Sequence, residues 1–233
     1  MFVRKWGVSD ARSDLERWLT GLLGAEQVSG LSRLSGGASR ETWAFEADGV
    51  RHILQRSQAG VARDMSVEAD VLRVAHRAGV PVAAVLASGT DSDGRSFIVS
   101  EFKSGETIAR KILRDEPFAV ARSRLVGQAA RALSSLHSID TSAVSGLELN
   151  DPLVQWRDTL DNLNEQLDQA HPAFELAFRW LEANRPTSGT VRVVHGDFRL
   201  GNFMVDPEGL AAVLDWELAH LGDPAEDQIG RAH

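Results

Sequence analysis

The sequence contains no cysteine among its 233 residues. Without cysteine the protein can have neither a disulfide framework nor a thiolate zinc site. No run of eighteen apolar residues occurs, and residues 1–18 lack the apolar segment of a signal peptide. These absences predict a cytoplasmic protein with no membrane partner.

Positive charge is also scarce. The chain has 25 Lys and Arg against 33 Asp and Glu, which gives a net charge of −8, and no basic stripe stands out. We therefore expect no nucleic-acid partner. Hydrophobic residues make up 43% and charged residues 25% of the chain, as in ordinary globular proteins, and 233 residues suffice for one large domain or two lobes.

The apolar pattern predicts strands in the first part of the chain and helices in the second. After a helix at 9–24, residues 28–102 read as five strands with one helix, at 65–78. Residues 117–185 have helical periodicity, and strand character returns at 191–214. We predict an α+β protein with an N-terminal lobe at 1–102, a C-terminal lobe at 103–233 and a hinge near 101–105. One helical row is predicted to be a buried face: Leu153, Trp156, Leu160, Leu163 and Leu167.

The stretch VVHGDFRLGNFMVDPEGLAAVLDWE, residues 193–217, combines polar groups with a predicted hairpin. A turn at 206–209 sets Val205 opposite Leu210 and Asn202 opposite Val213. Asp215 then lies diagonally across from Asn202, within roughly 7–8 Å. Amide and carboxylate oxygens are hard ligands that suit Mg²⁺. Asn202 and Asp215 are therefore the predicted metal ligands.

Two further polar residues precede the hairpin. Asp197 lies five residues before Asn202, on the loop that leads into it, where a carboxylate can accept the proton of an attacking hydroxyl. His195 follows the apolar run 191–194, so we expect it to hold the loop rather than to titrate. Asp197 is therefore the predicted catalytic base.

This spacing matches the catalytic loop of protein kinases, in which four residues separate an Asp from an Asn. Asp215 takes the position of the Asp in Asp-Phe-Gly. The forms HGDFRLGN and LDWE resemble the aminoglycoside phosphotransferase family, and LDWELAHLGDPAED is especially similar to kinase domains found with acyl-CoA dehydrogenases. The resemblance implies a bilobal protein-kinase-like fold, ATP and Mg²⁺ as cofactors, and phosphate transfer to a hydroxyl group of a small molecule. It favours a hydroxy-acid or hydroxyacyl-CoA acceptor over an antibiotic.

The same resemblance implies nucleotide-binding roles in the N-terminal half. Glu68, on the helix, would orient a cation on strand three, and backbone groups of Glu101 and Phe102 would meet the purine. Each also has a simpler interpretation: Glu68 as a solvated glutamate on a helix, and Glu101 and Phe102 as the end of a strand. The glycine loop, which also reads as a simple hairpin turn, would cover the phosphates with Ser35, Gly36, Gly37, Ala38 and Ser39.

A kinase carries a lysine on strand three, but this strand reads HILQRS. Gln55 takes the lysine position and Arg56 follows it. We expect Arg56 to supply the catalytic charge, although a strand neighbour points to the opposite face unless the strand bulges.

Two alternatives remain open at this stage. Gln55 and the short C-terminal part also fit a nucleotide-binding protein without catalysis. A metal-dependent hydrolase built on His195 and Asp197 is weaker, because only His220 lies near and neither a nucleophile elbow nor a P-loop occurs. Related kinases continue with further helices, so we expect the C-terminal lobe to be incomplete and residues 229–233 to be non-native.

Overall fold

The structure is a computed structural model that describes residues 8–34, 40–58, 64–167, 171–186 and 189–228. The predicted phosphate loop, residues 35–39, and the last five residues lie outside the described residues.

The first part of the chain forms an antiparallel sheet flanked by helices. Its elements are α1 (Val8–Leu23), β1 (Val28–Leu34), β2 (Arg40–Ala47), β3 (Val50–Ser57), α2 (Ser66–Arg77), β4 (Val85–Thr90) and β5 (Ser96–Glu101). The strand order is β1-β2-β3-β5-β4. Five strands and one helix after α1 were predicted here, and this is confirmed.

The β2–β3 hairpin turns at Asp48 and Gly49, whose φ angles are 49° and 78°. Two positive φ values in a row are typical of the type I′ turn, which matches the right-handed twist of the strands. Its register runs without a shift from Ala47 opposite Val50 to Arg40 opposite Ser57. Since no bulge interrupts it, alternate residues of β2 and β3 lie on opposite faces of the sheet.

The second part is helical and ends in short strands. Its elements are α3 (Ala109–Arg114), α4 (Ala119–His137), α5 (Pro152–Leu167), α6 (Pro172–Ala183), β6 (Arg192–Val194), β7 (Phe203–Asp206), β8 (Gly209–Val213), β9 (His220–Gly222) and α7 (Ala225–Gln228). Strand β6 pairs with β9, and β7 pairs with β8. The α+β class is confirmed by this order.

The predicted register of the late hairpin is correct at the turn and wrong at the open end. Val205 pairs with Leu210 as expected, but the register shifts between Met204 and Val205, so that Phe203 pairs with Val213. The irregularity adds one residue to β8, as a β-bulge does. Residue 215 is therefore one step closer to Asn202 than a regular hairpin would place it.

Two apolar clusters support the site. One joins α1 to the sheet and includes Leu19, Phe45 and Leu54. The other joins α2 and α4 to the late hairpin and includes Val71, Leu136 and Val213. Because α2 belongs to the second cluster and borders the sheet, it fixes the sheet against the β7–β8 hairpin.

The predicted buried row on α5 is wrong in most of its length. Leu160 is buried, but Trp156, Leu163 and Leu167 are 59%, 40% and 56% exposed. The row borders an apolar cavity of about 390 Å³ between α5 and α6. Periodicity identifies the apolar side of a helix, but it does not show whether another element covers that side. No helix within the described residues is long and apolar enough to span a membrane.

Candidate active site

The loop after β6 begins with a glycine that the backbone path requires. Gly196 has a φ of 81°, and a Cβ atom there would lie 2.6 Å from the carbonyl oxygen of Leu218. Both the left-handed φ and the close approach of the Leu218 carbonyl group favour glycine. The loop can therefore turn sharply between His195 and Asp197.

Asp197 and Asn202 are in direct contact. The Asn202 amide nitrogen donates to the Asp197 carboxylate at 2.8 Å and to its carbonyl oxygen at 2.9 Å. Arg199 also donates from Nε to the same carboxylate at 2.9 Å. These bonds fix the Asp197 side chain, and they turn the amide oxygen of Asn202 away from Asp197, where it is available as a hard ligand.

Asp215 lies beside this pair at the end of β8. The amide of Leu214 donates to the carbonyl oxygen of Asn202 at 2.8 Å, which ties the two segments together. Asp215 has a left-handed backbone, with a φ of 63°, and its side chain is 46% exposed. A non-glycine residue held at positive φ is uncommon and is concentrated at functional sites. The structure thus brings Asp197, Asn202 and Asp215 together.

His195 is fully buried and both of its ring nitrogens are engaged. Its Nε2–H donates to the carbonyl oxygen of Leu214 at 2.9 Å, and its Nδ1 accepts from the amide of Asp197 at 3.2 Å. Burial lowers the pKa of His195, although the negative charge of Asp227 partly opposes the shift. A neutral ring that uses both nitrogens internally holds the loop and cannot ligate a metal, which argues against the hydrolase alternative.

The depressed pKa of His195 predicts a pH dependence of stability. Between the folded pKa and the ordinary value of about 6.5, the unfolded chain binds a proton that the folded chain does not. This contribution is fully present above pH ~6.5 and is lost as the pH falls, with a slope of at most about 1.4 kcal/mol per pH unit. Urea unfolding between pH 7.5 and 5 should show the loss. The slope should be shallower for His195→Gln than for the parent; equal slopes in the two proteins would contradict the assignment.

Asp227, on α7, holds the same loop from behind. Its side chain is fully buried. Its two carboxylate oxygens each accept a hydrogen bond of 2.9 Å, one from the amide of His195 and one from the amide of Gly196. His137 of α4 lies 3.0 Å from one of these oxygens through Nε2. A single carboxylate therefore connects α4, α7 and the two residues that precede Asp197.

Glu68 of α2 pairs with an arginine on β2. Nη1 of Arg40 donates to Glu68 at 2.9 Å, and the two side chains are 9% and 8% exposed. Nη2 of the same guanidinium lies 2.8 Å from Glu217 and 3.5 Å from Asp215. Burial alone would lower the pKa of Arg40, but the charges of Glu68 and Glu217 and their hydrogen bonds raise it above its ordinary value. Arg40 is therefore charged, and it joins α2 to the end of the β7–β8 hairpin.

The structure does not bring Arg56 to this cluster. Arg56 is opposite Glu41 in the β2–β3 register and pairs with it at 3.4 Å and with Asp91 at 3.3 Å. Gln55 is opposite Thr42, on the face of the sheet that carries Arg40. The absence of a bulge explains why: the neighbour of Gln55 must point the other way.

The predicted hinge residues end β5. The amide of Glu101 donates to the carbonyl oxygen of Ala84 at 3.0 Å, and the amide of Phe102 donates to that of Arg51 at 3.3 Å. The guanidinium of Arg51 also lies 3.9 Å from the centre of the Phe102 ring. A purine contact at Glu101 or Phe102 would therefore have to use carbonyl oxygens.

Two residues of this cluster were missed in the sequence. Arg40 directly follows the predicted glycine loop at residues 35–39, and the available signal was an arginine at the start of a strand, on the same face as Gln55. Asp227 lies in the segment LDWELAHLGDPAED that carries the family resemblance. Its bonds to residues 195 and 196 span more than 30 positions, so no local pattern reveals them.

The sequence matches the Phosphotransferase enzyme family, APH, over residues 30–229. The chain belongs to this family. It is 30% identical over 228 residues to the mouse protein acyl-CoA dehydrogenase family member 10, a match that covers 91% of this chain and 21% of the relative. It is also 30% identical over 160 residues to aminoglycoside 3'-phosphotransferase of Streptomyces fradiae, covering 66% of this chain and 58% of the relative.

Solved structures show the fold of this phosphotransferase-family chain. A thermostable mutant of aminoglycoside phosphotransferase APH(4)-Ia, in complex with AMP-PNP and hygromycin B, has a TM-score of 0.63 at 22% identity and covers 92% of this chain and 74% of that one. Spectinomycin phosphotransferase APH(9)-Ia, in complex with ADP and spectinomycin, has a TM-score of 0.66 at 14% identity, covering 92% and 71%. The predicted protein-kinase-like fold is confirmed.

Membership of the family indicates the general type of reaction. The match covers only part of the longer relatives, which limits what they indicate about this chain. Its members are phosphotransferases that act on hydroxyl groups. The chain spans only 21% to 30% of the lengths of its acyl-CoA dehydrogenase relatives. Within the described residues, no group of three or more His, Cys, Asp or Glu side chains forms a metal site. Mg²⁺ does not need one, because it commonly takes one or two carboxylates together with substrate phosphates.

Proposed function

We propose that this chain transfers the γ-phosphoryl group of ATP to a hydroxyl group of a small molecule. The acceptor oxygen forms a bond to the γ-phosphorus, the bond from that phosphorus to the bridging oxygen of ADP breaks, and the hydroxyl proton passes to Asp197. Most of the rate enhancement in such reactions comes from positioning and from neutralisation of charge.

The observation that carries this proposal is the fixed carboxylate of Asp197. Asn202 and Arg199 both donate to it, and the loop beneath it is held by His195 and Asp227. A base that is already oriented does not have to be ordered at the moment of reaction, which is how a single carboxylate can contribute a large factor.

Asn202 and Asp215 are the residues that would hold Mg²⁺. Their donor set fits the ion, because it consists of one amide oxygen and one carboxylate, which leaves room for phosphate oxygens and water. The ion would neutralise charge on the transferring group. Asp215 is half-exposed, so its carboxylate is accessible from solvent.

For the acceptor we propose an anionic hydroxylated metabolite, such as a hydroxy-acid or a hydroxyacyl thioester. Two observations support it. Among the curated sequence relatives, those matched over most of this chain are named as acyl-CoA dehydrogenase family members, and the exposed guanidinium of Arg199 lies beside the proposed base. The aminoglycoside 3'-phosphotransferase relative supports an aminoglycoside acceptor instead, so both classes belong in the test.

A second candidate function is nucleotide binding without transfer. It is favoured by Gln55, a neutral residue on the same face of the sheet as Arg40, at the position where a kinase carries a lysine. This candidate predicts that Mg-ATP raises the melting temperature while no acceptor is consumed.

An acceptor panel with an Asp215 variant tests both candidates. ATP consumption is measured over hydroxy-acids, hydroxyacyl thioesters and aminoglycosides, and product phosphate is located by mass spectrometry. We expect turnover with the anionic acceptors in the parent, and Mg-dependent nucleotide binding at least about tenfold weaker in Asp215→Ala, the scale on which changes at a metal site act. In EDTA the two proteins should bind nucleotide alike. Equal Mg-dependent affinity would contradict the metal assignment, and binding without turnover by any acceptor would favour the second candidate.

A further inference from the structure

A phosphotransferase of this fold needs a cation between the acid of α2 and the metal ligand at the end of the hairpin. The lysine that supplies it in kinases is on strand three. Here the equivalent residue is the neutral Gln55, and Arg56 is engaged with Glu41 and Asp91 on the opposite face. Strand three therefore contributes no cation to the cluster around Glu68.

Arg40, on β2, lies where the missing strand-three cation would contact Glu68. Its guanidinium contacts Glu68 on one side and Glu217 and Asp215 on the other, and the residue is only 7% exposed. It comes directly after residues 35–39, the glycine loop that the sequence assigns to the phosphates. A buried arginine whose donors meet three carboxylates, one on α2 and two at the end of the hairpin, is a positioned group rather than a surface charge.

We propose that Arg40, from the start of β2, replaces the strand-three lysine: it holds Glu68 and Asp215 in place and meets the phosphates of the bound nucleotide. This inference rests on the proposed function. The contact to Asp215 is the longest of the three, at the outer limit of a hydrogen bond. Asp215 can therefore release Arg40 to take a metal ion, while the shorter bonds to Glu68 and Glu217 keep the guanidinium in position.

If Arg40 replaces the strand-three lysine, a lysine restored on strand three should compensate for the loss of Arg40. Residue 55 is opposite Thr42, on the same face of the sheet as Arg40 and diagonal to it. Diagonal neighbours lie within reach of a long side chain. A lysine at position 55 should therefore reach the carboxylates that Arg40 contacts in the parent.

The experiment measures binding of Mg-AMP-PNP by calorimetry, which requires no acceptor. We expect Arg40→Gln to weaken binding by roughly 10- to 100-fold, the factor for loss of one hydrogen bond to a charged group, and the pair Arg40→Gln with Gln55→Lys to recover most of it. The control is Arg95→Gln, which removes a guanidinium that is 14% exposed and also paired with carboxylates; it should bind within about twofold of the parent.

A double-mutant cycle in urea keeps the inference separate from the proposed function. Arg40→Gln, Glu68→Gln and their combination should show a coupling of at least about fivefold in the unfolding equilibrium constant, with no nucleotide present. The inference is overturned if Arg40→Gln binds nucleotide as tightly as the parent. It is also overturned if Arg56→Gln weakens nucleotide binding and Arg40→Gln does not. If the parent binds no nucleotide but Arg40 and Glu68 are strongly coupled, the proposed function is overturned and Arg40 remains the link from α2 to the hairpin. Absence of coupling overturns that link.

Discussion

Replacing Asp197 by asparagine is expected to lower the rate of phosphate transfer by roughly 10²- to 10⁴-fold, the usual contribution of a positioned general base. The change keeps the shape of the side chain but removes its ability to accept a proton. Arg199 and Asn202 both donate to this carboxylate, so the loop should keep its position. Nucleotide affinity should therefore change by only a few-fold, since the residues proposed to hold the metal and nucleotide are retained.

The rate is measured with the best acceptor of the panel, at saturating ATP and Mg²⁺, together with the affinity for AMP-PNP. Asp206→Asn is the matched control. Asp206 lies on the same hairpin and accepts amide bonds of 2.7 and 2.9 Å from Glu208 and Gly209, but it forms only the turn. A parent-like rate in Asp197→Asn would exclude Asp197 as the base. A similar loss in both variants would trace the effect to a disturbed hairpin.

The spacing of Asp197, Asn202 and Asp215 was sufficient to predict from sequence that they lie together. All three lie within 19 positions, on one loop and one hairpin, and hairpin geometry is local. Even here the register was wrong by one residue, because the shift between Met204 and Val205 has no sequence signal such as a glycine at the bulge. The local sequence pattern was enough to predict that the three residues lie together, and the bulge determines how close Asp215 lies to Asn202.

The cation could not be assigned in this way. The rule that strand neighbours alternate correctly warned that Arg56 points away from Gln55. It could not show that the arginine beside Glu68 would come from another strand, because Arg40 contacts residues that are 28 and 177 positions away. Such contacts depend on how α2, the sheet and the hairpin pack together.

The α5 row illustrates the same limit for burial. Its apolar side was identified correctly, yet most of it is exposed in the described part of the chain. Burial is a property of two surfaces, and the sequence of one helix specifies only one of them.

Replacing Asp227 by alanine is expected to cause the largest loss of stability. Its carboxylate is the acceptor for the buried amide of His195 and the part-buried amide of Gly196, and His137 lies beside it. Each buried donor left without an acceptor costs about 1–3 kcal/mol, so the free energy of unfolding should fall by about 2–6 kcal/mol. Urea unfolding at pH 7.5 measures this change.

Hydrogen exchange separates loss of the loop clamp from general destabilisation. The amides of residues 195 and 196 should lose protection first in Asp227→Ala, ahead of the core strands of the sheet. Asp161→Ala is the control, because it removes a 54% exposed carboxylate that pairs with Arg157 on the same helix and should cost no more than about 0.5 kcal/mol. If the two variants are equally stable, Asp227 does not hold the loop. If exchange rises uniformly in Asp227→Ala, its carboxylate supports the fold as a whole, and the position of Asp197 depends on other contacts, above all on the bond from its amide to His195.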